Sequence, residues 1–492
     1  MRLSAQRLVV EHARGPEPHA APRGDERSSS VLSAYADDLS FYALLAGLAW
    51  APFWFGSNRD VAWGVNAVYF GALAILFEAS RLVSGRRHAI GIRWIWFPAL
   101  AFAFVAAWSL VQSSSWVPTS YHHPIWQMAG ETLGRTAPGS ISVDRDKTLL
   151  ARTRLTTAAA VFWIALQTCR SSKRARRLVG AIAFIGALYA VYGLVAFFVW
   201  PDRLLWFDKV HYKDSLTSTF VNRNSYATYA ALGLINALAI AFSHYLRSAA
   251  PRTASFARRL AEFVASTTGR GGGWIACAFI IGIALALTGS RGGAAAAVAG
   301  LSAFLFLVGF RGRRNAGPTG SAILLAGMAV AAAFFAYGDF LADRLLQGFA
   351  SNDRLSVYGL TWLSIADMPL LGFGDGTFEE AFRMYRDGSV GPFGAWDKAH
   401  NTYLEMFQGL GAPAAALLLL GLAFLGGRCV YAALTRSRDA VAPLAASAAT
   451  IVVALHALVD FSVQMQAVAL TWAALLGAGV AQSWSATIAT EE

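Results

Sequence analysis

Residues 273–310 read GWIACAFIIGIALALTGSRGGAAAAVAGLSAFLFLVGF, two apolar runs joined by a turn whose only charged residue is Arg291. Each run, 273–289 and 294–310, approaches the roughly 20 residues that an α-helix needs to cross a bilayer core. A helix satisfies its backbone polar groups internally, which is the condition for burial in lipid. The stretch therefore reads as a membrane hairpin. The small residues of GGAAAAVAGLSAF suit close packing of one helix backbone on another.

The rest of the chain repeats the pattern. Of 492 residues, 56% are hydrophobic and 14% charged, against about 25% charged in an ordinary soluble domain. Apolar runs fall at 40–56, 61–82, 93–112, 153–169, 178–200, 224–246, 273–289, 294–310, 321–338, 403–427, 441–461 and 464–484. The expectation is an all-α polytopic integral membrane protein of about twelve transmembrane helices. Residues 1–38, rich in Arg, Pro, Gly and Ser, read as a flexible cytoplasmic tail rather than a cleavable signal peptide. Residues 39–338 hold helices one to nine, 339–402 form a large, partly helical periplasmic loop, and 403–492 carry the last three helices and a short cytoplasmic end. With the net charge of +12 spread over membrane loops, it says little about nucleic acid. Cys169, Cys277 and Cys429 imply no disulfide framework.

Basic residues concentrate in short connections such as SGRRHAIGIR, RSSKRARR and RGRRN. By the positive-inside rule these face the cytoplasm, as do both termini. Segments 113–152, 201–223 and 339–402 then face out. Function is expected there.

Three outward constellations carry candidate chemistry: TFVNRNSYA (219–227), LTGSRGG (287–293) and AHNTYLE (399–405). Two open helices whose N-terminal N–H groups and dipoles favour anions. Arg223 and Arg291 stand at those openings and suit a diphosphate, with Gly292 and Gly293 leaving room for phosphate to approach the backbone; the plainer alternative is that each arginine snorkels to headgroups. Asn224 is a supporting candidate. His400 is the acid–base candidate, or else a helix cap. Asp397 and Asn401 can orient its ring, and Asp397 also fits an N-cap; Glu405 is either supporting or structural. Arg354 and Asp375 either bind sugar or phosphate or pair with neighbouring charges. His456 and Asp460, four apart near the outer end of a span, serve either function or local pairing. Thr377-Phe378-Glu379-Glu380 fits a capping box, which makes Glu380 structural. His122, His123 and His211 have no metal-ligand spacing, so no metal site is expected.

Together TFVNRNSYA, LTGSRGG, the run from Arg354 through Trp362, Pro369 and Gly372-Phe373-Gly374-Asp375-Gly376 to Phe378, AHNTYLE and HALVDF resemble the O-antigen ligase and polymerase superfamily. The resemblance spans roughly residues 150–480. It implies a C-type glycosyltransferase-like membrane enzyme of the bacterial inner membrane. Such an enzyme takes a glycan from undecaprenyl diphosphate and joins it to an acceptor hydroxyl at the periplasmic face. Inversion at the sugar carbon, no cofactor and no required metal are implied too. By position, His400 matches the histidine that activates the acceptor, Arg291 a phosphate-binding arginine, and Arg223 a second one. Expected partners are the undecaprenyl-diphosphate-linked donor, a lipid A–core or growing polysaccharide acceptor, and membrane lipids, with no nucleic acid. Ligation is the first reading. Polymerisation of O-antigen or exopolysaccharide repeat units is the alternative, because Gly409 and Gly411 are followed by Ala-Pro where the ligase pattern has further small residues. A polysaccharide or lipid transporter is the reading from another class; its polar residues would lie near mid-membrane.

Overall fold

The computed structural model describes residues 24–248, 271–315, 352–391, 396–436 and 438–484. The expected span 321–338, most of the 247–272 loop, the start of the large loop and both chain ends lie outside the described residues.

The described chain is helical: α1 (Gly24–Trp50), α2 (Asp60–Val83), α3 (Trp96–Ser113), α4 (Ile125–Leu133), α5 (Arg145–Thr168), α6 (Ser172–Val199), α7 (Arg223–Ser248), α8 (Gly272–Leu287), α9 (Arg291–Asn315), α10 (Asn352–Asp367), α11 (Phe378–Arg383), α12 (Thr402–Leu410), α13 (Ala412–Thr435), α14 (Val441–His456) and α15 (Gln466–Ala481). One two-residue hairpin pairs Arg203 with Asp208. Seven segments are long and apolar enough to cross a membrane: Asp60–Val83, Ile92–Ser113, Arg145–Thr168, Ser172–Val199, Arg223–His244, Arg291–Arg311 and Ala412–Thr435. Helices α8, α14 and α15 are shorter and also apolar.

Small residues set the packing. A Cβ on Gly300 of α9 would lie 2.3 Å from Val452 Cγ2 of α14, and one on Gly477 of α15 would lie 2.5 Å from the Phe162 carbonyl of α5. Backbones thus touch at these crossings, which is how spans associate where lipid is as apolar as they are. Gly300→Val is expected to overpack the α9–α14 crossing at a cost of about 1–3 kcal/mol. Thermal unfolding in detergent checks it, and an unchanged midpoint would rule out that contact.

Three expectations change. Residues 24–38 are not a loose tail: α1 begins at Gly24. Its acids are held by distant cations, Asp37 by Arg81 (2.9 Å) and Arg86 (3.4 Å), and Asp38 by Arg174 (2.8 Å). The span expected at 403–427 is two helices. Gly411 adopts φ 77°, and Pro413 stands in the first turn of α13, where its missing N–H is harmless but a continuous helix would be broken. The eleventh span ends at His456, so Asp460 lies in the turn beyond it.

Loops at the end where α7 and α9 begin are pinned to one another. Phe373 and Gly374 donate backbone N–H groups to Gln408 and Gly409 (2.9 and 3.0 Å), and Gln112 Nε2 donates to the Leu371 and Gly409 carbonyls (2.7 and 2.8 Å). Gly372 has φ 66°, and a Cβ there would sit 2.4 Å from the Gly409 carbonyl, so only glycine fits the turn. The expected capping box does not form. Thr377 donates to the Phe373 and Gly374 carbonyls, while Glu379 and Glu380 pair with Lys147 and tie α11 to α5.

Candidate functional site

All three constellations meet at one end of the bundle, around the buried carboxylate of Asp460. Asn224, in the first turn of α7, donates its Nδ2 to Asp460 Oδ1 at 3.2 Å. Ser462 donates its hydroxyl to Oδ2. His400 brings Nδ1 to 3.7 Å from Oδ1, beyond hydrogen-bond length yet close enough for charge pairing. The backbone joins in, since Thr402 donates its N–H to the Ala457 carbonyl (2.9 Å) and its hydroxyl to the Asp460 carbonyl (3.0 Å).

His400 is held in an unusual way. Its φ is 56°, a left-handed conformation that is costly for most side-chain-bearing residues and concentrates at functional positions. The imidazole stands edge-on to Trp396 (5.7 Å) and Phe461 (4.9 Å). Tyr358 donates its hydroxyl to the His400 carbonyl at 3.0 Å. Nδ1 is buried with no hydrogen-bond partner among the described residues. Asn401 caps α12 by accepting the Leu404 N–H at 3.1 Å, so it is a cap and not the ring's orienter. Asp397 is exposed, whereas Asp460 faces the ring.

Arg223 and Arg291 each open a helix at this end of the bundle. Arg223 opens α7, stacks over Tyr212 at 5.3 Å and donates Nη1 to Ser215 Oγ at 3.1 Å; its Nε is buried with no hydrogen-bond partner among the described residues. Burial pushes the Tyr212 phenol up, Arg223 and Arg354 pull it back, and Asp460 raises it. Those three charges therefore all act on one ring. Tyr358 is likewise raised by burial, with Arg354 and Asp460 acting on it in opposite senses. Arg291 opens α9 and is exposed. Its neighbour Gly292 abuts His456, with a Cβ there 3.1 Å from Nε2, and Gly293 lies against Ala227. The two glycines thus admit protein side chains in the direction expected to admit phosphate. His456 is buried, and its Nδ1 is 2.5 Å from Thr228 Oγ1.

Two candidates sit elsewhere. Glu405 Oε1 accepts the Ala399 N–H (2.7 Å), and Oε2 accepts from Gln464 Nε2 (2.8 Å), so it braces the strap carrying His400 from behind. Asp375 lies near Arg154 instead; burial pushes its carboxyl up and Arg154 pulls it down. Tyr212, Tyr358, Thr228 and Ser462 escaped sequence reasoning because nothing local marks them. Among the described residues, no group of three His, Cys, Asp or Glu is placed to hold a metal.

Chemically, the end of the bundle offers a positioned imidazole, a buried carboxylate behind it and three arginines. Residues 276–419 match the model of the O-antigen ligase family, bearing out the resemblance to that superfamily. The matched segment runs from α8 into α13 and contains Arg291, Arg354, Asp375, His400, Asn401 and Glu405; Arg223, Asn224, His456 and Asp460 lie outside it. No curated protein matches the chain.

Proposed function

We propose that this membrane protein is a glycosyltransferase of the O-antigen ligase type, moving a glycan from undecaprenyl diphosphate to an acceptor hydroxyl. The observation that carries the reading is the convergence of His400, Asp460, Arg223, Arg354 and the Arg291 end of α9 on one site, from helices far apart in sequence. Basic connections lie at the other end, where Arg170, Arg428 and Arg436 donate to carbonyls of residues 481–484. By the positive-inside rule that end is cytoplasmic, which leaves the site on the periplasmic side of the inner membrane.

The charge of Asp460, 3.7 Å from Nδ1, favours the His400 tautomer with its proton on Nδ1 and leaves Nε2 to accept one. As the acceptor oxygen bonds to the sugar carbon, its proton passes to Nε2. The bond from that carbon to diphosphate breaks on the opposite face, so configuration inverts. Arg223, Arg291 and Arg354 neutralise the departing diphosphate, with guanidinium forks that suit paired phosphate oxygens. No step in this sequence calls for a metal.

Proteoliposomes holding the purified protein, undecaprenyl-diphosphate-linked oligosaccharide and lipid A–core test the reading. Glycosylated core and free undecaprenyl diphosphate are expected in equal amounts. Elongated lipid-linked glycan instead would make the protein a polymerase, and no transfer of either kind would overturn the assignment. Arg291→Ala is expected to raise the donor KM about tenfold, the loss of one charge-assisted contact worth roughly 1.5 kcal/mol. Unchanged donor KM and kcat would remove Arg291 from the site.

A further inference from the structure

A second feature lies beside α12, and none of His400, Arg223, Arg291 and Arg354 is among the residues that line it. A cavity of about 870 Å³ is walled by α3, α5, α13, α14 and α15, and apolar side chains such as Ala159, Phe162, Leu422, Val453 and Ala473 make up most of its lining. On α5 it runs from Ala151 to Trp163, about 18 Å at 1.5 Å per residue. That is close to the hydrocarbon depth of one leaflet, about half of 30 Å.

The groove has a polar mouth at the end nearest His400. Arg154, Asp375, Glu405, Gln464 and Gln466 line it. Arg154 lies over the Trp63 ring at 4.7 Å. Gln466 is 2% exposed; its Oε1 accepts from Asn66 (2.7 Å), while Nε2 has no hydrogen-bond partner among the described residues. A buried amide donor without a partner at the lip of a cavity points to a ligand oxygen. Thr402 joins the two regions, lining the groove and donating to the Asp460 carbonyl.

We propose that this groove seats the apolar anchor of the acceptor, an acylated saccharolipid whose sugar head lies at the Arg154–Gln466 mouth and presents its hydroxyl to His400. The assignment rests on the transferase reading and adds a place for the second substrate. Polar chemistry distinguishes the two places. The Asp375 and Glu405 carboxyl oxygens and the Gln464 and Gln466 amides at the mouth suit sugar hydroxyls, which both donate and accept. The arginines at the α7 and α9 ends suit a diphosphate. A one-leaflet depth also fits acyl chains better than eleven isoprene units. Donor and acceptor thus approach His400 from separate places.

The test uses the full-length protein in its native membranes, with photoreactive benzoylphenylalanine at Leu422 in the groove or at Tyr212 beside Arg223. Lipids captured on irradiation are released and identified by mass spectrometry. Acylated saccharolipid is expected at Leu422 and polyprenyl diphosphate at Tyr212. Polyprenyl carrier at Leu422, or diacyl phospholipid alone in bulk proportions, would overturn the assignment. Saccharolipid at Leu422 with no carrier at Tyr212 would support the groove while sinking the donor site. In the proteoliposome assay Ala159→Trp, which fills the groove, is expected to raise the KM for lipid A–core about tenfold and leave the donor KM unchanged. Equal rises in both would also overturn it.

Discussion

His400→Asn is expected to lower kcat by about 10²- to 10⁴-fold, the usual range for loss of a general base, with the donor KM little changed. Asparagine is the better probe than alanine here. The backbone at His400 holds φ 56°, a conformation asparagine adopts with little strain and alanine does not. His400→Ala therefore combines loss of the imidazole with stress on the strap, whereas His400→Asn removes the base and leaves the strap's anchors in place. Those anchors belong to other groups: the Tyr358 hydroxyl on the His400 carbonyl, and Glu405 on the Ala399 N–H. Steady-state transfer with purified protein, alongside thermal unfolding to show that the variant remains folded, decides the matter. A His400→Asn enzyme within threefold of the parent would take the imidazole out of the mechanism.

The membrane architecture was legible because apolar run length is a local property. The hairpin at 273–310, its small-residue packing and the clustering of basic connections can all be read without knowing any contact. The break at Gly411 was legible too, in Gly411-Ala412-Pro413, but an unbroken apolar stretch through 403–427 outweighed it. Residues 24–38 read as loose because their composition is polar; what orders α1 beyond them is Asp37 and Asp38 meeting Arg81, Arg86 and Arg174, and pairings at that separation leave no local trace. The same limit applies at the site. His400, Arg223 and Arg291 each sit in a short motif with its own chemistry. The residue facing the histidine is 60 positions along the chain, past a helical hairpin, and the nearer Asp397 and Asn401 offered false partners. Gly292 and Gly293 were legible as close-approach positions, but sequence alone does not say whether phosphate or His456 makes the approach.

Asp460→Asn is expected to lower kcat about 10²-fold or more while both KM values stay near those of the parent. The carboxylate is fully buried, so it acts through His400 as a positioning residue. Its two oxygens are already engaged by Asn224 and Ser462, which hold the charge where Nδ1 can face it. Asparagine keeps the volume and one carbonyl oxygen but removes the charge that stabilises the imidazolium formed as the acceptor loses its proton. It also offers an N–H where the ring needs an acceptor, favouring the tautomer with its proton on Nε2, which cannot serve as base. A structural role would predict something different: lower thermal stability and an activity loss that adds to any other. The double variant His400→Asn/Asp460→Asn separates the two. If the carboxylate works only through the ring, the double variant is no slower than His400→Asn alone, because groups acting as one unit are not additive. If the two losses multiply, Asp460 supports the fold or the donor site independently, and the pairing across 3.7 Å is incidental to the chemistry.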